Sequence, residues 1–242
     1  LLVVFDEIHK FAEWKDFLKG FFDVYGTLTK IIVTGSARLD VLNFGGDSLM
    51  GRYFLYRLHP LSIRELTDPS LSNEQIRPPK PISEEFLTTL LHFGGFPEPF
   101  IQNNTRFYNR WKKLRFKQLF QEDIQDISHI REIGQLQILT ELLRKQAGQL
   151  VNFTELGKKV GVSSETIRRW METLKALYYC FSIQPWTTNI SRSLLKEPKV
   201  FLWDWSLVED HGQKLENFVA SHLLKAIHFW TDRGFGDYHL YF

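Results

Sequence analysis

Two adjacent carboxylates, Asp6 and Glu7, directly follow a run of five apolar residues at positions 1–5. If that run is a strand of a parallel sheet, its carboxyl end faces the crevice where such sheets bind ligands. One carboxylate there can hold Mg²⁺ through water, because Mg²⁺ dehydrates reluctantly, and the other can polarise an attacking water. The alternative is that both acids simply begin the next helix. The pair alone does not decide between the two.

A second apolar run, at 30–34, also ends in small polar residues. Thr34, Gly35 and Ser36 stand at its carboxyl end. A hydroxyl at that position can contact the γ-phosphate of a nucleotide or the attacking water. An ordinary strand-to-helix turn with Ser36 as the N-cap explains these residues when they are considered alone. The two strand ends taken together favour one shared site at one edge of a sheet.

The segment between the two runs predicts a helix, since its apolar residues recur every three or four positions. Strand, helix and strand of these lengths form a parallel crossover unit, and uniformly apolar strands are typical of a sheet with helices on both faces. A third strand is predicted at 53–58, followed by a short helix that starts near Pro60. The apolar helical positions are Phe11, Trp14, Phe17, Leu18, Phe21 and Phe22.

The middle of the chain reads as a polar connection followed by helices. Residues 67–82 are polar and rich in proline, which is typical of a linker or surface loop. Ser83 is the predicted N-cap of a helix that ends at the paired glycines 94–95. One long helical stretch is predicted over 105–147, with Gly148 as its stop. Its two apolar faces are Phe107, Trp111 and Leu114, and Leu136, Leu139, Leu142 and Leu143.

Residues 150–177 have the pattern of a helix-turn-helix. Asn152 with Glu155 three residues later predicts the start of one helix, and Ser163 predicts the start of the next. The second helix would present polar side chains to duplex DNA, phosphates first. The alternative is that this unit packs against the rest of the chain or a partner, with its charges solvated. The candidate DNA-facing residues are Ser164, Glu165, Arg168 and Arg169, with Lys158 and Lys159 beside them.

Two strand candidates, 178–183 and 199–204, follow the helix-turn-helix. The loop between them, 187–198, would complete a wing of the kind that often accompanies such a unit. A final amphipathic helix is predicted at 214–230, before a strand-like end.

Composition sets further bounds on the function. The chain has 242 residues, 43% hydrophobic and 24% charged, which is the balance of a soluble globular protein. Its single cysteine, Cys180, excludes an internal disulfide and a cysteine metal cluster, and fits a reducing, cytoplasmic compartment. No apolar run approaches the roughly 20 residues of a membrane span. The net charge of +2 requires any basic site to be local, and the densest cluster is Arg106, Arg110, Lys112, Lys113, Arg115 and Lys117.

Several segments in a fixed order resemble the AAA-type ATPases of archaea and bacteria that carry a C-terminal winged-helix region and a domain of unknown function. They are LLVVFDEIHK, IIVTGSARL, GRYFLYRLHPLSIREL and GGFPEP, followed by KVFLWDWSLVED and LENFVASHLLKAI. The resemblance implies that Asp6 and Glu7 are the Walker B pair, with Asp6 holding Mg²⁺ through water. It implies that Ser36, or else Thr34, is the sensor. Arg52 becomes a trans-acting or sensor arginine, with a structural ion pair as the alternative.

The resemblance also implies a fold class that is α/β at first and mostly α afterwards. The implied parts are the C-terminal half of a P-loop NTPase parallel sheet at 1–66, a linker and helical lid at 67–147, a winged helix-turn-helix at 148–204, and the start of an α/β, restriction-endonuclease-like domain at 205–242. ATP and Mg²⁺ are the implied cofactors, with duplex DNA and a homo-oligomer left open. A helix glutamate assists metal binding in such terminal domains, but Glu216 is expected to be only an acid near a helix N-terminus.

The chain departs from that family in one respect that bears on activity. The phosphate loop G-x-x-x-x-G-K-[ST] does not occur in this sequence, and its only Gly-Lys pair is Gly157–Lys158, inside the helix-turn-helix. We therefore expect this chain alone neither to bind ATP tightly nor to hydrolyse it, and we expect the loop to lie upstream in a longer protein. The alternative is a non-enzymatic DNA-binding or protein-docking module on a degenerate ATPase fold.

Overall fold

The computed structural model describes residues 1–35, 49, 51–124, 130–187 and 196–242. Within these ranges the chain is a mixed α/β protein with two two-stranded sheets. The first sheet lies at the amino end, and helices dominate the remainder.

The amino-terminal unit is a strand, a helix and a strand, as predicted. Strand β1 pairs with strand β2 in parallel along its whole length, so the crossover prediction is confirmed. A 3₁₀ turn, Ile8–Lys10, lies between β1 and the helix. The bounds are β1 Leu2–Phe5, α1 Trp14–Tyr25 and β2 Lys30–Val33.

One face of this small sheet is covered and the other is not. Helix α1 buries Trp14 and Leu18 against the sheet, where Phe5 and Val33 pack on them. The side chains on the opposite face are about half exposed, so the expectation of helices on both faces is wrong for the described residues. Those side chains are Leu2, Val4 and Ile32, which are 57%, 54% and 49% exposed.

The third predicted strand, at 53–58, is wrong. The segment forms no ladder within the described part of the chain, and Phe54 and Leu58 are 86% and 98% exposed. A β-prone sequence forms a strand only beside a partner, because its propensity reflects packing on a sheet. The next helix begins after Ser62 rather than Pro60, because Ser62 and Glu65 form a reciprocal capping box.

The middle of the chain is helical, but not as one stretch. The predicted helix over 105–147 is wrong as a single element. Its first part ends in a π-helical turn, Leu119–Asp123, and its second part starts only at Ile133. Leu114, which was predicted to lie on an apolar face, is 67% exposed. The buried residue of this first part, before the π-helical turn, is Tyr108. The helices are α2 Ile63–Thr67, α3 Glu84–Phe93, α4 Pro97–Gln102, α5 Thr105–Gln118 and α6 Ile133–Lys145.

Two helices and two antiparallel strands follow, joined in the order that the sequence predicts. The side chains of Asn152 and Ser163 cap the two helices as expected, each accepting a backbone N–H in the first turn. Both helices bury their apolar faces in the largest core cluster, which includes the fully buried Trp170. The elements are α7 Phe153–Val160, α8 Ser164–Ala176, β3 Cys180–Ile183 and β4 Lys199–Leu202.

The last helix, α9 His211–Asp232, starts earlier and ends later than predicted. Its start is fixed by Asp210, whose carboxylate accepts the backbone N–H of Gln213. The strand-like end forms no named strand among the described residues, although Tyr241 makes an isolated parallel bridge to Gln184.

Candidate active site

The acid pair and the hydroxyl of Thr34 meet at the carboxyl edge of the β1–β2 sheet. Parallel pairing places the residues after both strands at the same edge. The Thr34 hydroxyl donates a hydrogen bond to the Asp6 carboxylate and accepts one from the Glu7 backbone N–H at 3.2 Å. The Thr34 N–H donates to the Phe5 carbonyl at 2.9 Å, and the Thr34 carbonyl accepts from Ile8 N–H at 3.2 Å. The two strand ends are therefore joined by both side-chain and backbone bonds.

Glu7 has an unusual backbone at this edge. Its φ of 51° and ψ of 39° are left-handed, a conformation that residues other than glycine rarely adopt. A residue held in this conformation lowers the stability of the fold, and residues of this kind cluster at functional sites. The Glu7 side chain is partly buried, and its Oε2 lies 4.0 Å from the Lys10 ammonium.

A third acid, Asp123, interacts electrostatically with Glu7 and Lys10. Burial raises the pKa of Asp123, with the nearby Arg115 opposing the shift. Asp123 ends the π-helical turn after α5 and is 9% exposed. The sequence patterns predict no role for this residue. The available signal was an acid between the apolar residues Phe120 and Ile124, both of which are buried.

Arg52 and Ser36 are the two other residues that the sequence assigns to this edge. The Arg52 Nε donates to Asp23 Oδ1 of α1 at 3.2 Å, which is the ion-pair alternative for that arginine. Ser36, the first choice for the sensor, lies outside the described residues. Thr34 is therefore the hydroxyl whose contact with Asp6 is described.

The groups at the edge fit magnesium better than a softer metal. Carboxylate and hydroxyl oxygens are hard ligands, and Mg²⁺ commonly keeps several waters and takes only one or two protein carboxylates. No group of three or more His, Cys, Asp or Glu side chains is arranged to hold a metal in the parts of the chain that the structure describes. Asp6 would hold Mg²⁺ through its waters, and the bound ion would neutralise charge on a triphosphate.

The candidate DNA-facing residues lie on two consecutive helices, and all are exposed except Ser164, which is partly buried. Lys158 and Lys159 lie on α7, Ser164 opens α8, and the side chains of Arg168 and Arg169 reach solvent. The Arg168 guanidinium lies 4.9 Å from the centre of the Phe153 ring, which occupies part of its surface.

Glu216, on α9, forms an ion pair with Lys199 of β4. The two charged atoms are 2.7 Å apart. The helix begins at His211 and its first turn holds no acid, so the expected role of Glu216 at a helix N-terminus is wrong, and the residue instead pairs with Lys199.

Residues 57–66, named the strap here, tie the amino-terminal part of the chain to α9 and to the end of α3. Both side chains and backbone groups of the strap make these contacts. The contacts are the Arg57–Asp232 ion pair, His59 Nε2 to His228 Nδ1 at 2.8 Å, Lys225 to the Pro60 carbonyl at 2.7 Å, Leu61 N–H to the Gly95 carbonyl at 2.6 Å, and Ile63 N–H to His222 Nε2 at 3.1 Å.

The paired glycines leave room for the strap and for Trp205. A Cβ on Gly95 would lie 2.6 Å from both the Leu61 carbonyl oxygen and the Trp205 ring. Gly94 has a φ of +80°, and a Cβ there would lie 2.6 Å from the Asp204 carboxylate. Both positions therefore require glycine for the close contact, and Gly94 requires it for the backbone conformation as well.

We expect the strap to make the chain sensitive to acid. Burial lowers the pKa of His59 to about 2, and the charges of His228, Lys225 and Arg57 act in the same direction. The folded pKa lies below the unfolded value of 6.5, so the unfolded chain binds the proton first and stability is lost as pH falls below about 6.5. The free energy of unfolding should fall by roughly 2 kcal/mol between pH 7 and pH 5 from this group alone. Burial also lowers the pKa of His222, which adds to the loss.

Urea unfolding at several pH values measures this effect. His59→Gln should flatten the dependence of unfolding free energy on pH between 7 and 5. The exposed His211 gives the matched control, because His211→Gln should keep the slope of the unchanged chain. If the His59→Gln protein kept the full slope, His59 would not be the source of the pH dependence.

No described helix is both long and apolar enough to span a bilayer.

Comparison with known proteins finds relatives that are described as uncharacterized proteins. One from Mycobacterium tuberculosis is 21% identical over 207 residues, covering 86% of this chain and 43% of the relative. One from Methanocaldococcus jannaschii is 24% identical over 228 residues, covering 89% of this chain and 51% of the relative. The chain thus spans about half the length of the curated relatives it matches. No solved structure matches it.

Two family models match consecutive parts of the chain. Residues 1–67 match the model described as an AAA domain, which supports an AAA-type ATPase domain in the part that carries the acid pair. Residues 84–216 match the model described as a domain of unknown function, DUF8612. Since that second match covers more than half of the residues, the chain belongs to the DUF8612 family.

Proposed function

We propose that residues 1–67 supply the magnesium-facing and water-facing side of an ATP hydrolysis site. The observation that carries the proposal is the hydrogen bond from Thr34 to Asp6 across the parallel strand pair. Asp6 would hold Mg²⁺ through water, and Glu7 would polarise the attacking water. Ser36, or else Thr34, would sense the γ-phosphate. The match to an AAA domain over the same residues supports this assignment.

The triphosphate also needs a phosphate loop, which this sequence does not contain. We therefore propose ATP binding and hydrolysis for a longer protein that joins this chain to such a loop. The greater length of the relatives is consistent with that arrangement. Arg52 would act as a sensor or on the site of a neighbouring subunit in a homo-oligomer, and it would first have to leave Asp23.

Asp6→Asn in the longer protein tests the magnesium role. The variant loses the carboxylate charge that orients the ion and its waters, so the Mg²⁺ concentration for half-maximal ATP hydrolysis should rise roughly 10- to 100-fold. The measurement is ATPase rate against Mg²⁺ concentration at saturating ATP.

Glu13→Gln is the matched control, because Glu13 is an exposed acid in the same segment whose side chain caps no helix. It should keep the magnesium dependence of the unchanged protein. An Asp6→Asn protein with the same dependence as this control would rule out the proposed site and favour the alternative of a non-enzymatic module on a degenerate ATPase fold.

We propose a second function for the part that follows, namely that α7, α8, β3 and β4 form a winged helix that contacts duplex DNA. The order of the elements and the exposed cations on both helices support it. In this division 67–147 is a linker and lid, 148–204 is the winged unit, and 205–242 begins a restriction-endonuclease-like domain. The side chains that would contact DNA are Ser164, Arg168, Arg169, Lys158 and Lys159.

A further inference from the structure

Helix α5 presents a line of four cations to solvent. Arg106, Arg110, Lys113 and Lys117 are all exposed, and they follow one another at intervals of four, three and four residues. At about 100° per residue these positions fall within an arc of roughly 60°, and the rise of the helix spreads them over about 16 Å. We call this surface the basic stripe.

The members of the basic stripe make no ion pair with any residue that the structure describes. The other two cations of α5 are engaged closer to the protein. Lys112 lies 4.1 Å from the centre of the Tyr108 ring, and Arg115 contacts Gln118 and the Phe96 ring. Four charges are thus available to an external partner.

The charge of α5 is also unbalanced within the sequence. The helix contains six cations and no acid, whereas the net charge of the whole chain is only +2. The remainder of the chain is therefore net acidic, and the positive potential is concentrated on this one helix.

We propose that the basic stripe docks the chain on the phosphate backbone of duplex DNA. A line of like charges with no acid among them complements a polyanion, and protein–DNA interfaces are much more positively charged than protein–protein interfaces. A protein partner would normally need a buried apolar centre, but the centre of the stripe consists of charged side chains. A single strand would need aromatic platforms for its bases, and no aromatic residue lies within the arc.

The basic stripe is better suited to this role than the exposed face of α7 and α8. On those two helices three exposed glutamates are interspersed among the cations, and the Arg168 guanidinium already contacts the Phe153 ring. The proposal for α5 does not depend on the winged-helix proposal. The interspersed acids are Glu155, Glu165 and Glu172.

The test is the fluorescence anisotropy of a labelled DNA duplex of about 20 base pairs, titrated with the full chain at several salt concentrations. The variant Arg106→Gln, Arg110→Gln, Lys113→Gln and Lys117→Gln should bind at least about 100-fold more weakly at low salt. The slope of log affinity against log salt should become shallower by about 3.6, since each lost phosphate contact contributes about 0.9. Unchanged thermal melting of the variant shows that it is folded.

The control removes the same number of charges from the other helices, as Lys158→Gln, Lys159→Gln, Arg168→Gln and Arg169→Gln. A clearly smaller loss in this control supports the basic stripe. An equal loss points to a general charge effect and overturns the proposal, and a larger loss overturns it in favour of α7 and α8.

Competition identifies the class of partner. Unlabelled duplex should displace the labelled duplex at lower concentration than poly-glutamate or single-stranded DNA of equal charge. Displacement by poly-glutamate at the same concentration would overturn the proposal in favour of an acidic protein. Failure of the unchanged chain to bind duplex at low salt would overturn it outright, without bearing on the ATPase proposal.

Discussion

Glu7→Gln should lower ATP turnover by roughly 10²- to 10⁴-fold in the longer protein that carries the phosphate loop, which is the usual contribution of a positioned general base. The amide keeps the size of the side chain but cannot accept a proton from the attacking water. Asp6 and its bond from Thr34 are untouched, so Mg²⁺ and ATP should bind as before. The measurements are the single-turnover rate of hydrolysis and the affinity for a fluorescent ATP analogue.

The backbone at Glu7 should be the same in the unchanged protein and in Glu7→Gln. Its left-handed conformation and the bond from its N–H to Thr34 do not involve the carboxylate, so glutamine should occupy the same position. Glu13→Gln should keep the full rate. A Glu7→Gln protein that turns over ATP normally would remove Glu7 from the mechanism, and one that loses ATP affinity would instead give Glu7 a role in binding.

The arrangement of this edge was predictable from local sequence. Apolar periodicity predicted strand, helix and strand, and the geometry of parallel sheets then brought the residues after Phe5 and Val33 together. The helix caps at Ser83, Asn152 and Ser163 were likewise predictable, because a cap depends on residues only three positions apart.

The predictions that failed depended on contacts distant in sequence. Residues 53–58 have strand composition, but a strand also needs a neighbour, which no local pattern supplies. The burial of Asp123 depends on how the turn after α5 packs, and the bond from Leu61 to Gly95 depends on the packing of two separate segments. The adjacent glycines at 94–95 signalled a close approach, but not which segment approaches.

Trp205 lies where the strap meets the DUF8612-matching part of the chain. Its ring is 2% exposed, and its indole N–H donates to the Leu90 carbonyl at 2.7 Å. The ring of Phe218 meets it edge-on at 5.1 Å, and it lies in one apolar cluster with the strap residues Leu61 and Ile63. Because this cluster draws on α3, α9 and the strap, loss of the ring should loosen all three.

Trp205→Ala should lower the free energy of unfolding by about 3–5 kcal/mol, the cost of truncating a buried tryptophan. Urea unfolding measures the total loss. Amide hydrogen exchange at Leu61 and Ile63 reports the strap directly, and both N–H groups should exchange faster. Trp205→Phe should lose less, since it keeps most of the packing and gives up chiefly the hydrogen bond, worth about 1 kcal/mol.

Trp186→Ala is the matched control, because Trp186 is 67% exposed and packs mainly on the Tyr241 ring. It should change the unfolding free energy by less than about 1 kcal/mol and leave the exchange of Leu61 and Ile63 unchanged. If Trp205→Ala were no more destabilising than this control, Trp205 could not be what holds the strap. If it were destabilising without faster exchange at Leu61 and Ile63, the strap would be held by its polar bonds to α9 and Gly95 instead.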